Sequence, residues 1–158
     1  MNKRLDYISW DTYFMEIAKL SSKRSKDPNT QVGACIVSNN NRILGIGYNG
    51  LPNGISDDVI PWTNEGTLLD TKYPYVVHAE ANAILNTNNF QLLNTAKIYV
   101  TLFPCSDCAK LIIQAGIKEV IYLEDKYPNG ESTLASKKLF KLAKINVMSY
   151  EEKISKVR

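Results

Sequence analysis

Apolar positions along this chain fall into alternating helix-period and strand-period segments, and their order predicts the fold. Trp10, Tyr13, Phe14, Ile17 and Ala18 recur at helical spacing, predicting an amphipathic first helix whose aromatic stripe faces the core. Gln31 to Ser38 (QVGACIVS) is apolar on both faces, as a central strand covered by helices on either side would be. Asn39, Asn40 and Asn41 form a turn signal, and Arg42 to Tyr48 (RILGIGY) returns as a second strand. Gly45 and Gly47 within it mark a close backbone approach or a bulge.

The pattern then breaks. Residues 49–77 hold three prolines, Pro52, Pro61 and Pro74, and little periodicity. A stretch this long and irregular inside a compact domain is usually functional or mobile. Periodicity resumes with a helix over Ala79 to Leu85, a strand over Lys97 to Thr101, a helix through Ala109 to Ala115 capped by Gly116, and a strand over Lys118 to Leu123. A helix over Ser132 to Ala143 and a short strand over Ile145 to Met148 complete it. Strand and helix alternating over this half imply parallel crossovers, so the expected class is α/β: a three-layer α/β/α sandwich on a mixed five-stranded sheet. The chain reads as a single domain over 1–158 with its core in about 6–148 and a charged tail over 149–158, of which Glu151 to Arg158 is expected to fray.

Composition narrows the function classes. With 158 residues, 44% hydrophobic and 22% charged, the chain can bury a substantial core as one soluble domain. No stretch is apolar enough to span a bilayer, and the first residues lack a signal-peptide core, so a cytoplasmic protein without a membrane partner is expected. A net charge of +3 is too small to mark nucleic acid as the partner. Three cysteines suggest no disulfide framework, and Cys35, inside an apolar run, reads as a small buried hydrophobe.

The chemistry concentrates around the single histidine. His78 opens His78-Ala79-Glu80, and Pro104-Cys105-Ser106-Asp107-Cys108 follows farther along. One imidazole and two thiolates supply three ligands to a tetrahedral zinc with the fourth position open, whereas structural zinc sites usually close with four Cys or His ligands. Cys105 and Cys108 stand three apart and would share one helix face, with Pro104 suited to the helix start. Unpaired amides at helix starts favour thiolate over thiol. Glu80 is not needed as a ligand and is free to move protons. His-x-Glu followed by Pro-Cys-x-x-Cys is the signature of zinc-dependent nucleobase deaminases.

Several further blocks extend the likeness: Arg24-Ser25-Lys26-Asp27-Pro28, Val32-Gly33-Ala34, Gly47-Tyr48-Asn49-Gly50 and Gln114-Ala115-Gly116-Ile117. With the zinc motif and the long segment before the histidine, the chain from about Trp10 to Val147 resembles the deoxycytidylate (dCMP) deaminases of the cytidine deaminase-like superfamily. Deaminases acting on transfer RNA share the zinc motif but typically lack the Gly-Tyr-Asn-Gly block with its long insertion. The resemblance implies hydrolysis of dCMP to dUMP and ammonia, which supplies thymidylate synthesis. It implies one zinc per subunit on His78, Cys105 and Cys108, with Glu80 as the proton carrier. The Ala79 amide would meet the base carbonyl, Asn49 the sugar, and Tyr127 would stack on the base. Arg24 and Lys26, the basic cluster beside a turn, are the expected phosphate contacts. Family likeness further implies a homo-hexamer activated by dCTP and inhibited by dTTP, with Mg2+ accompanying the regulatory triphosphate.

Overall fold

A computed structural model describes residues 1–156. The elements are α1 (Trp10–Ser22), β1 (Gly33–Val37), β2 (Ile43–Tyr48), α2 (Ala79–Leu85), β3 (Lys97–Leu102), α3 (Ser106–Gln114), β4 (Glu119–Glu124), α4 (Glu131–Leu142), β5 (Asn146–Ser149) and α5 (Tyr150–Ser155). Two short 3-10 turns, Leu68–Asp70 and Phe90–Thr95, are additions to the elements read from the sequence.

The five strands form one mixed sheet in the order β2-β1-β3-β4-β5. β1 is antiparallel to β2 and β3, whereas β3, β4 and β5 run parallel. Period-2 alternation sorts the strand side chains between two cores. Ala34, Ile36, Ile98, Val100 and Val120 point to one face, where they meet Ala83, Ala109, Ile112 and Phe140 from α2, α3 and α4. Cys35, Val37, Tyr99 and Ile121 point to the other, against Phe14, Met15 and Ala18 of α1 and Tyr150 of α5. The molecule is therefore the expected α/β/α sandwich. β1 is buried along its whole length, as its two-sided apolar pattern predicts, although β3 is the middle strand.

Close helix–sheet contact depends on missing side chains. A Cβ at Gly47 would lie 2.2 Å from the Ala79 carbonyl oxygen, and one at Gly45 would lie 2.1 Å from that of Ala83. Gly45 and Gly47 thus let the small face of α2 rest directly on β2. The side chains of Asn82 and Asn86, one turn apart on α2, donate to the carbonyls of Tyr48 and Ile46 on the outermost strand.

Two expectations need correction. Trp10 and Tyr13 are 57% and 41% exposed; the fully buried residues of α1 are Phe14, Met15 and Ala18, with Ile17 packed against them, and Trp10 stacks on Phe14 at the helix start. The tail is helical from Tyr150 to Ser155 where fraying was expected from Glu151: Ser149 and Glu152 form a capping box that starts α5, and Lys153 of this helix pairs with Glu119. The last two tail positions, 157 and 158, lie outside the described residues.

Candidate active site

Two helix starts face each other and carry the conspicuous chemistry. His78 is the N-cap of α2 and Cys105 the N-cap of α3, both with extended backbone, and neither side chain makes a capping hydrogen bond. The imidazole and the Sγ are therefore free to act elsewhere. Cys108 sits one turn into α3 and is buried. His78 Nδ1 lies 3.4 Å from both Cys105 Sγ and Cys108 Sγ. All three ligand atoms lie within 4.8 Å of one another.

These distances fit a zinc ion. Zn–S bonds of about 2.3 Å and a Zn–N bond of about 2.0 Å in tetrahedral array put sulfur and nitrogen about 3.5 Å apart. The electrostatics agree. Cys105 is pulled down to about 4, chiefly by the hydrogen bond from the Cys108 thiol and also by His78. Cys108 moves the opposite way, because it holds the proton the pair shares. His78 is raised to about 9 by its hydrogen bond to Cys105. A bound dication would displace the protons that this donor set carries.

Glu80 stands in the first turn of α2, two residues past His78, and is only 4% exposed. Burial raises its carboxyl above the ordinary range, partly offset by its own backbone N–H and by His78. A buried carboxyl beside a three-ligand site can hold or release a proton without occupying the fourth position. The backbone N–H of Ala79, at the first helical position, has no intrahelical partner.

A cavity of about 700 Å3 opens over this cluster. His78, Ala79, Glu80 and Cys105 form part of its lining, with Asn49 and Tyr127 also on its wall. Seven of the site residues read from the sequence therefore converge, because Cys108 completes the ligand set. Arg24 and Lys26 are the exceptions. Both are exposed and neither lines the cavity; Lys26 pairs with Asp57 in the 49–77 segment. Asp27, the next residue, is buried and does line the cavity.

Asp27 anchors a second polar group that sequence reasoning missed. Its Oδ1 accepts from the backbone N–H groups of Asn29 and Thr30, closing a tight turn. Its Oδ2 pairs with Lys72 Nζ at 2.5 Å, and the two side chains are 3% and 8% exposed. Asn49 donates to the Thr30 carbonyl and to Asp27 Oδ2, and its own Oδ1 accepts from the Val32 N–H. This buried group ties the loop after α1 to the irregular segment, which Gly50 and Val77 join to itself by a β-bridge one residue before His78. Both amide hydrogens of Asn49 are thus spent inside the protein, leaving a lone pair on Oδ1.

The model of the cytidine and deoxycytidylate deaminase zinc-binding region matches residues 8–124. The chain is 57% identical to the deoxycytidylate deaminase of Mus musculus over 156 residues, covering 98% of this chain and 87% of that one. It is 56% identical to the Homo sapiens deoxycytidylate deaminase with the same coverage. Among solved structures, the dCMP deaminase of cyanophage S-TIM5 in complex with dCMP and dUMP superposes with a TM-score of 0.68 at 30% identity, covering 87% of this chain and 94% of that one.

Proposed function

Because the chain belongs to the cytidine and deoxycytidylate deaminase family, we propose that it hydrolyses dCMP to dUMP and ammonia. The observation that carries this reading is a buried carboxyl, Glu80, beside an incomplete tetrahedral ligand set at the floor of a nucleotide-sized cavity. The relatives named deoxycytidylate deaminase and the phage enzyme seen with dCMP and dUMP support the substrate.

His78, Cys105 and Cys108 would hold the zinc. When bound, zinc supplies Lewis acidity that brings the pKa of water down towards about 7. The remaining work falls to this chain's own groups. Glu80 takes a proton from the attacking water and delivers it to ring nitrogen N3. As the C4–N4 bond breaks, the carboxyl passes the second proton to the departing nitrogen, so water and cytosine become uracil and ammonia and Glu80 is regenerated. The Ala79 N–H donates to the base carbonyl O2. The free lone pair of Asn49 Oδ1 accepts from a sugar hydroxyl, an orientation its other bonds fix in advance. Tyr127, exposed at the cavity wall, stacks on the base.

The same reading includes a cytoplasmic homo-hexamer activated by dCTP and inhibited by dTTP, with Mg2+ accompanying the triphosphate. What supports the regulation physically is the 49–77 segment. Asn49, Asn64, Lys72, Tyr73 and Val76 of this segment line the cavity, so an effector that shifts the segment acts directly on the substrate wall.

A panel of cytidine, CMP, dCMP and dCTP, each run with and without dCTP and dTTP as effectors, tests the proposal. Ammonia release is expected to be fastest from dCMP, rising with dCTP and falling with dTTP. Zinc-loaded protein that releases none from dCMP would refute the activity, and a rate indifferent to both effectors would refute the regulation.

A further inference from the structure

We infer that Asp125 and Lys137 are positioning residues: together they fasten the 125–130 connection between β4 and α4 and so present the Tyr127 ring to the nucleobase. This role rests on the proposed nucleotide reading, in which Tyr127 stacks on the base. Tyr127 is exposed on the cavity wall, so packing alone does not fix its ring. A side chain that must be ordered when ligand arrives forfeits affinity, and holding it beforehand recovers that affinity. Its backbone is already stiff. Tyr127-Pro128-Asn129-Gly130 forms a β-turn, closed by the Gly130 N–H donating to the Tyr127 carbonyl at 3.0 Å, with proline in the second position. The proline restricts the Tyr127 backbone as well as its own.

A stiff turn still has to be anchored, and one side chain of α4 anchors it on both sides of Tyr127. Lys137 Nζ donates to Asp125 Oδ2 at 2.8 Å, two residues before the tyrosine, and to the Pro128 carbonyl at 3.4 Å, one residue after it. The same ammonium lies 5.3 Å from the ring centroid of Phe103, which lines the cavity and leads into Pro104-Cys105. The Phe103 N–H in turn donates to the Glu124 carbonyl at 2.7 Å, where β4 passes into the connection. Asp125 is not a solvated surface partner. Its side chain is 17% exposed, and its Oδ1 is buried with no hydrogen-bond partner among the described residues. Lys137 is the ammonium that holds this carboxylate in place; without it, hydration would draw the carboxylate outward and the connection with it. A half-satisfied buried carboxylate works against stability. What the pair secures is the placement of the connection.

Calorimetric titration of the zinc-loaded protein with dUMP, in a double-mutant cycle between Lys137 and Tyr127, tests this without turnover. Tyr127→Ala is expected to weaken dUMP binding about fivefold to a hundredfold, the range of base–aromatic stacking. Lys137→Met should weaken it about threefold to tenfold, the cost of ordering a freed side chain on binding. Lys137→Arg should retain most of the affinity. In the Tyr127→Ala background, Lys137→Met should cost nothing further. Lys138→Met removes the same charge from the neighbouring exposed position and should leave dUMP affinity unchanged. Additive losses in the cycle, wild-type affinity in either single variant, or an equal loss in Lys138→Met would overturn the inference. Should the cycle show coupling while dCMP is not deaminated, the catalytic reading fails and the positioning role stands. Should dCMP be deaminated while Lys137→Met binds dUMP as the wild type does, the positioning role alone falls.

Discussion

Two polar groups border one cavity, and they are built on different principles. His78, Glu80, Cys105 and Cys108 come from two helix starts, and each position is set by local backbone geometry. Asp27, Asn49 and Lys72 come from loops, and they meet only because the irregular segment folds back across the loop after α1. The first group offers unfilled valence to a metal and a proton. The second has its charges cancelled and its donors spent within the protein, with one lone pair of Asn49 Oδ1 left over. Chemistry therefore resides where the chain is regular, and the shape of the cavity is set where it is not.

The largest effect should come from the first group. Glu80→Gln preserves size and removes the proton carrier, so kcat is expected to fall by about 10²- to 10⁴-fold. Zinc content measured by atomic absorption should be unchanged; loss of zinc would mean that Glu80 is a ligand after all and would blur the division. The second group should answer in stability. Lys72→Met leaves the Asp27 carboxylate buried without a counter-charge, at an expected cost of about 3–5 kcal/mol in denaturant unfolding. Adding Asp27→Asn should recover part of that loss, and strictly additive effects would show that the pair is not coupled.

Gly47→Ala probes the seam between the sheet and the helix bearing His78 and Glu80. The added methyl meets the Ala79 carbonyl, so α2 must shift, at about 1–3 kcal/mol, and zinc affinity should fall along with stability. Full stability with normal zinc affinity would show that α2 has slack. Cys35 gives the smallest effect. Burial pushes its thiol from 9.0 up to about 12. The folded chain keeps a proton that the unfolded chain releases, so its contribution to stability declines as pH rises through that window. At neutral pH, labelling of native zinc-loaded protein by a thiol reagent should spare Cys35 until the chain unfolds.

The same contrast explains what could be read from the sequence. Cys105 and Cys108 are one helical turn apart, and His78 precedes a helix, so the metal site follows from spacing. The five strands and their faces follow from period-2 alternation, with Ala34 and Ile36 on one side and Cys35 and Val37 on the other. Lys72 and Asp27 are 45 positions apart, and each alone reads as a solvated turn residue. No local rule pairs them. Arg24 and Lys26 looked suited to phosphate because they cluster in sequence, but both are exposed and neither lines the cavity. The box that starts α5 was legible as Ser149-Tyr150-Glu151-Glu152 and was hidden by the tail's charge. Trp10 and Tyr13 follow helical period, yet α1 rests on the sheet through a narrower stripe than its aromatics suggest.

The asparagine amides that α2 lays along β2 have a consequence for assembly. The carbonyls of Ile46 and Tyr48 point away from β1 and would otherwise accept from a docking polypeptide. With both engaged, two of the acceptors that a neighbour's strand would need are already taken, which disfavours growth of the sheet from this rim. Association on this side is thereby biased towards side-chain contacts, where register and partner are specified residue by residue.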